Sequence, residues 1–277
     1  MSKPPERLIA ELTEQYEVEK FLADKLRRAS RQERTRLYSQ VYDELFRRIP
    51  HHPQLKRKSD VEAQRAAVEN QMSFLTRFLT PDCIFMEVGP GDCSFSFEVA
   101  RRVRQVFAID VSTEISKSAT QPANFQLLIS DGSSISLQGD SVDVAYSYQL
   151  MEHLHPDDAL EQVRSILHVL APGGRYVCIS PNRITGPHDI SKYFDRIATG
   201  FHLKEYTATE LVALFIKTGF RKVECYLVVK GLVLHTPVAL IQMVESFIEF
   251  LPYGLRRKIA GIAPVRQLLE VRVAAVK

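Results

Sequence analysis

Gly89-Pro90-Gly91-Asp92 follows the apolar run Cys83-Ile84-Phe85-Met86-Glu87-Val88 and precedes a helix-like segment, Ser94 to Arg104. Glycines at such a turn let the backbone bend sharply and approach a ligand closely. The unpaired amides of a helix start attract negative charge. Asp110 closes the next apolar run, Gln105 to Ile109, and lies 23 residues after Glu87. A carboxylate there can accept hydrogen bonds from both hydroxyls of a ribose. Asp131-Gly132 follows a third run, Phe125 to Ile129. Its carboxylate suits the exocyclic amine of an adenine, and its glycine leaves room for the ring. The three places together describe a site for a nucleoside that carries an anionic end. Each also has a plainer reading: a tight turn at Gly89, a cap ahead of Val111-Ser112 at Asp110, an ordinary Asp-Gly turn at Asp131.

Proton transfer would fall to histidine, the one side chain that titrates unperturbed near neutral pH. His153 and His155 follow a fourth apolar run, Ser141 to Ser147; His188 and His202 lie between Asn182 and Tyr206. That connection is long, aromatic and polar, which suits a lid or binding loop. His188 and His202 are candidates by position, with loop polarity and capping as the alternative. His155 precedes Pro156 and suits the start of a helix.

The segments around these residues alternate. Runs of strand character at 83–88, 105–110, 125–129, 141–147, 175–180 and 223–229 are separated by stretches of helical spacing, and 270–276 suits a seventh strand. Such alternation implies βαβ units and a parallel sheet covered on both faces. Ser30 with Glu33, Ser59 with Glu62 and Thr207 with Glu210 have the spacing of capping boxes. They predict helices over 30–49, from 59 to before Pro81, and from 207 to Gly219. A weak helix is expected near 113–119, and two more over 232–268. In the helix from Val238 to Leu251, Gln242, Glu245, Ser246 and Glu249 share one face. A cap over the site, a dimer contact or an interfacial membrane helix are the readings of that amphipathic segment.

Composition fits a globular chain of 277 residues, 45% hydrophobic and 25% charged. Net charge is only +3, although Arg27, Arg28, Arg31, Arg34 and Arg36 crowd one stretch. A solvated helix face explains that run without a polyanion. Cys83, Cys93, Cys178 and Cys225 form no CxxC pair and have no histidine at ligand spacing. They read as free thiols, and no metal site is expected. The start of the chain lacks the apolar stretch of a signal peptide, and no segment reaches the roughly 18 apolar residues of a membrane span. A cytoplasmic protein, with possible peripheral contact to a membrane, is expected.

The ordered set Glu87-Val88-Gly89-Pro90-Gly91, Asp110, Asp131-Gly132, Tyr148-Gln149-Leu150-Met151-Glu152-His153-Leu154 and Leu170-Ala171-Pro172-Gly173-Gly174 resembles the Rossmann-like class I methyltransferases. It is closest to the small-molecule branch that includes the ubiquinone and menaquinone biosynthetic enzymes. The resemblance covers roughly residues 70 to 230. It implies S-adenosyl-L-methionine as cofactor. Glu87, Gly89 and Gly91 would line its methionine end, Asp110 would hold the ribose, and Asp131 and Gly132 would meet the adenine. Tyr148 and Gln149 would lie beside the ribose and sulfonium. Cys93 departs from the small residue usual at its position. His153 belongs to a Glu-His-Leu piece common across acceptors, which favours a structural role over a catalytic one. No Asn/Asp-Pro-Pro-aromatic motif follows the fourth strand, so no nucleic-acid partner is expected.

The reading is therefore an α/β protein with a Rossmann-like, mostly parallel seven-stranded sheet. A helical arm would span 1–69, the cofactor-binding core 70–230, and a helical cap with the last strand 231–277. The expected activity is methyl transfer, to oxygen first, on a small or lipid- or sugar-linked acceptor, by a monomer or homodimer. The alternatives are an NAD-dependent oxidoreductase on a similar sheet and a non-catalytic nucleotide-binding protein.

Overall fold

The computed structural model of the chain describes residues 6–50, 52, 61–112, 121–229 and 231–277. Five apolar runs form β1 (Ile84–Val88), β2 (Gln105–Asp110), β3 (Phe125–Ile129), β4 (Val142–Tyr148) and β5 (Leu170–Ser180). They lie in the order β3-β2-β1-β4-β5, and every neighbouring pair is parallel. Val88 pairs with Ile109 and with Ser147, and Asp110 pairs with Ile129. The register therefore brings the carboxyl ends of four strands to one edge. Chain order reverses between β1 and β4, and this is where an open sheet leaves a ligand crevice.

The other side of the sheet holds β6 (Lys222–Val229), β7 (Leu232–Thr236) and β8 (Val271–Val276). The last strand, β8, inserts antiparallel between β5 and β6, and β7 pairs with β6 at the edge. Among the described residues the sheet thus has eight strands rather than the expected seven. Residues 232–236, expected to be helical, are the addition. Gly231, at φ +81°, permits the tight return, and Val233 then packs with Tyr226 and Val228 against buried core.

The helices are α1 (Glu6–Arg28), α2 (Arg31–Arg48), α3 (Val61–Leu75), α4 (Ser94–Ala100), α5 (Pro156–Val169), α6 (Ala208–Thr218), α7 (Val238–Phe250), α8 (Tyr253–Ala260) and α9 (Ala263–Leu269). The capping boxes at Ser30/Glu33 and Thr207/Glu210 are formed. The start expected at Ser59 and the helix expected near 113–119 lie outside the described residues.

Side-chain alternation along the strands separates two cores. Phe85, Val106, Val144, Tyr146 and Val177 pack with α3 and α4 on one face. Met86, Ile109, Ala145, Tyr176 and Cys178 pack on the other with α5 and α6, and with Leu22, Leu26, Val41 and Leu45 of α1 and α2. The four cysteines are free and buried. Burial of each large side chain of the arm contributes about 1.5–3 kcal/mol. A buried ion pair ties the arm down further: Arg34 donates from Nε and Nη2 to Asp158, and the Tyr38 hydroxyl donates to the same carboxylate.

The inner face of α7 differs from expectation. Glu245 is buried with Ile241 and Ile248. Its carboxylate accepts hydrogen bonds from the Ala208 and Thr209 amides, the Thr209 hydroxyl and the Asn182 amide group. The buried start of α6 thus gains an anionic cap. Leu240, Met243, Phe247 and Phe250 consequently face outward, with Phe250 89% exposed.

Candidate active site

The crevice is framed by main-chain bonds between the strand ends. The Gly89 amide donates to the Ile109 carbonyl, and the Ser130 amide donates to the Asp110 carbonyl. The loops after β1, β2 and β3 thus leave the sheet side by side. Gly89 and Gly91 have φ +71° and +58°. A Cβ on Gly89 would stand 2.8 Å from Leu150 Cδ1, whereas one on Gly91 would meet nothing within 4 Å. Cys93 is also left-handed, at φ +63°, and sits buried at the start of α4. Its thiol takes the place of the small residue expected there, and burial pushes it up to about 12.

Glu87 is buried and accepts a short hydrogen bond from the Ser96 hydroxyl. Burial raises its pKa to about 8; Ser96 opposes the rise, and Asp92 and Asp110 add to it. Asp92 is held by the Ser94 amide and by the Gln64 side chain of α3. Asp110 accepts from the Ser112 amide. Asp92 and Asp110 thus oppose ionisation of Glu87, and a ligand with a cationic end would favour its carboxylate form.

Asp131 turns its own loop. Its Oδ1 accepts from the Ser133 and Ser134 amides and the Ser133 hydroxyl. Burial pushes its pKa up, and these bonds outweigh that and lower it. Gly132, at φ +93°, leaves room that the Tyr38 ring fills: a Cβ would stand 3.0 Å from Tyr38 Cδ2. Tyr148 ends β4 and points to the face lined by Gln71, Phe74 and Arg272. Gln149, left-handed at φ +53°, is tied through its amide to the Ile179 carbonyl. A cavity of about 570 Å³ opens between α3 and α4, and of the residues around the glycine turn it touches only Ser94.

The three nominated histidines meet around two acids that the sequence reading passed over, Glu152 and Glu205. His153 and His202 stack edge to face with centroids 4.9 Å apart. His153 Nδ1 lies 3.1 Å from the Phe201 carbonyl, and His202 Nδ1 lies 2.7 Å from Glu205 Oε1. The His188 amide donates to the same Glu205 oxygen, while its ring, which reaches the surface, meets Thr185 and the Asn182 carbonyl. Burial, aided by the neighbouring His202, drives the pKa of His153 down to about 3. Burial also lowers that of His202, but Glu205 and Glu152 reverse the sign and leave it raised. Glu152 is fully buried and pushed up to about 7 by burial. His155 Nδ1 accepts from the Asp157 amide and caps α5.

The arm closes this cluster. Tyr42 stacks on Phe201 at 5.2 Å and meets His153 edge-on. Arg27 donates to the carbonyls of Thr199, Gly200 and His202. Tyr16 stacks on Phe194 at 4.3 Å. A bridge between Asn182 and Tyr206 joins the two ends of the covering segment.

Among known proteins, residues 86–178 match the family profile of a methyltransferase domain. A protein of Mycolicibacterium smegmatis described as an S-adenosylmethionine-dependent methyltransferase is 39% identical over 80 residues. That match spans 29% of this chain and 29% of the relative, so the chain aligns with less than a third of the relative's length. A chain from the complex of the Haloferax volcanii Trm112 methyltransferase activator with a methyltransferase superposes with TM-score 0.55 at 17% identity, over 77% of this chain and 90% of that one. Phosphoethanolamine N-methyltransferase 2 of Haemonchus contortus, solved with phosphomonomethylethanolamine and S-adenosylhomocysteine, superposes with TM-score 0.51 at 16% identity, over 76% and 53%. The structural matches share the fold; the family profile spans the glycine turn, the acid of β2 and the strands around them. The segment from β1 into β5 is a methyltransferase domain of the class I, S-adenosylmethionine-dependent family.

Proposed function

We propose that the protein transfers a methyl group from S-adenosylmethionine to a hydroxyl of a small or lipid-linked acceptor held against the histidine cluster. The observation that carries this reading is the position of Tyr42. Burial raises its phenol pKa, and Glu152, Glu19 and Asp110 add to the rise, so it stands in electrostatic reach of acids from both halves. Tyr42, which also meets His153 edge-on, therefore stands near both the ribose-side acid and the acceptor-side acid.

The residues present fit a cationic cofactor. Gly91 faces open space, and the Glu87, Asp92 and Asp110 carboxyls gain from a positive charge among them. Glu87 with the glycine turn would hold the methionine end, Asp110 the ribose, Asp131 the adenine amine, and Tyr148 and Gln149 the side nearest the sulfonium. When bound, the cofactor supplies a methyl group already activated for in-line displacement. The chain has to align an acceptor about 3 Å from that methyl and exclude water. The arm and the 182–206 segment supply the cover. The hydroxyl proton leaves toward the Glu152–His202–Glu205 group.

A lipid-linked acceptor is favoured by the outer face of α7. Met243 and Phe247, both 63% exposed, lie between Leu240 and Phe250, and exposed Leu255, Arg257 and Lys258 follow on α8. Apolar side chains beside cations suit the boundary of an anionic bilayer. No described helix is long and apolar enough to cross one.

Calorimetry with S-adenosylhomocysteine and with NAD tests the cofactor assignment. Binding of the first alone is expected; tight NAD binding with no response to S-adenosylhomocysteine would overturn it. Turnover of labelled S-adenosylmethionine across hydroxyl, amine and lipid-linked acceptors then tests the acceptor class.

A further inference from the structure

We infer that Glu152, His153 and His202 form a binding site for a divalent transition-metal ion beside the acceptor position. One potential ligand atom from each lies within 4.8 Å of the others. The sequence places His202 some fifty residues beyond the other two, so spacing could not reveal the group.

Each of the three residues has one polar atom committed elsewhere and a second that could serve as a ligand. The Phe201 carbonyl can only accept, so His153 Nδ1 carries the proton of that bond and Nε2 keeps its lone pair. His202 Nδ1 is held by the Glu205 carboxylate, which again leaves Nε2. Glu152 Oε2 accepts from the Ser180 hydroxyl, while Oε1 is buried with no hydrogen-bond partner. A buried carboxylate oxygen without a partner carries an uncompensated desolvation penalty. Metal-bound histidines characteristically donate their second ring N–H to a carbonyl or a carboxylate, which fixes the tautomer and the ring plane. Both arrangements occur here, one on each histidine.

The donor set points to the class of ion. Two imidazoles and one carboxylate suit zinc, iron, cobalt or manganese rather than magnesium or calcium, which prefer all-oxygen shells. Ligands to such an ion stand about 2.0–2.2 Å from it. Three protein ligands leave open positions, as in catalytic rather than structural sites. Resting on the methyl-transfer reading, an open position would take the acceptor oxygen and favour its deprotonated form. Binding of the ion itself is independent of that reading.

The test uses the full chain, stripped with a chelator and titrated with Co²⁺ and Zn²⁺. One equivalent of Co²⁺ is expected to produce visible d–d absorption, and Zn²⁺ is expected to displace it. His202→Ala and Glu152→Gln should each weaken the ion by at least tenfold while thermal unfolding stays cooperative. Glu205→Gln, which keeps all three ligands, should weaken it by about tenfold or more. It decides the matter if the first two variants fail to fold. Absence of Co²⁺ absorption in the unaltered chain, or unchanged affinity in folded variants, overturns the site. A normal metal titration alongside no S-adenosylhomocysteine binding would sink the methyl-transfer reading and leave the ion site standing.

Discussion

At the open edge of β1, β2 and β3 the acids are set by the main chain of turns and strand ends, whereas beneath the 182–206 segment side chains gather into a cluster. The first region is made of left-handed glycines, loop amides and strand ends stitched by Gly89–Ile109 and Ser130–Asp110 bonds. The second is made of Glu152, His153, His202 and Glu205, gathered from the end of β4 and from a segment with little regular structure. A site made by backbone is specified locally, because each turn needs its own residue types in order. A site made by side chains is specified by folding, because its members meet only once the arm and the covering segment are in place. The family profile spans the first region and reaches Glu152 and His153 of the second, while His202 and Glu205 lie beyond it.

The sharpest way to break this contrast is to detach the arm. Asp158 is buried and receives Arg34 and Tyr38 from α2. Asp158→Ala would leave the Arg34 guanidinium buried without its partner. Stability should fall by about 3–5 kcal/mol, read from denaturant unfolding. Tyr38 covers Gly132 and Tyr42 covers His153, so both halves should loosen together. A loss below about 1 kcal/mol, the range of an exposed pair, would mean that the arm is an accessory to the site rather than part of it.

A smaller effect separates the halves. Gly89→Ala places a Cβ against Leu150 in a left-handed conformation, which costs about 1–2 kcal/mol by itself. S-adenosylhomocysteine affinity should drop roughly tenfold by calorimetry. Pairing it with Leu150→Ala should recover the part due to collision and not the part due to φ. His188→Ala, at the outer margin of the second region, should leave that affinity unchanged. Equal losses in both variants would dissolve the distinction.

What the sequence disclosed follows the same division. The strands from Ile84 to Tyr148 and the glycine turn were legible because apolar period, turn residues and motif order agree there. β7 was not: Leu232-Val233-Leu234-His235-Thr236 runs into the apolar start of α7, and only pairing with β6 makes it a strand. Gln242, Glu245, Ser246 and Glu249 read as one polar face, and helical spacing cannot show that Glu245 alone turns to the amides at the start of α6. The aromatic, polar character of 182–206 marked His188 and His202 as candidates. Nothing local indicated that Glu205 would join them, or that Glu152, inside a motif common to many acceptors, would be left with a buried unpartnered oxygen.

The finest test concerns protons in the backbone-made half. Burial, with Asp92 and Asp110 nearby, keeps Glu87 largely protonated at neutral pH, its pKa standing near 8 against an ordinary 4.5. The sign for folding follows: the stability contributed by the neutral form is complete below about 4.5 and is lost as pH climbs through about 8. Ligand binding runs the other way. If the ammonium of the cofactor docks at Glu87, the carboxylate form is favoured and a proton must leave. Affinity for S-adenosylhomocysteine should then rise about fivefold from roughly pH 7 to 8, the gain in ionised fraction for a group that titrates near 8. Calorimetry in buffers of different ionisation enthalpy should count just under one proton released near neutrality, and none in Glu87→Gln. A pH-independent affinity with no proton release would place the cationic end elsewhere, and Asp92, the other acid of that turn, would become the first residue to test.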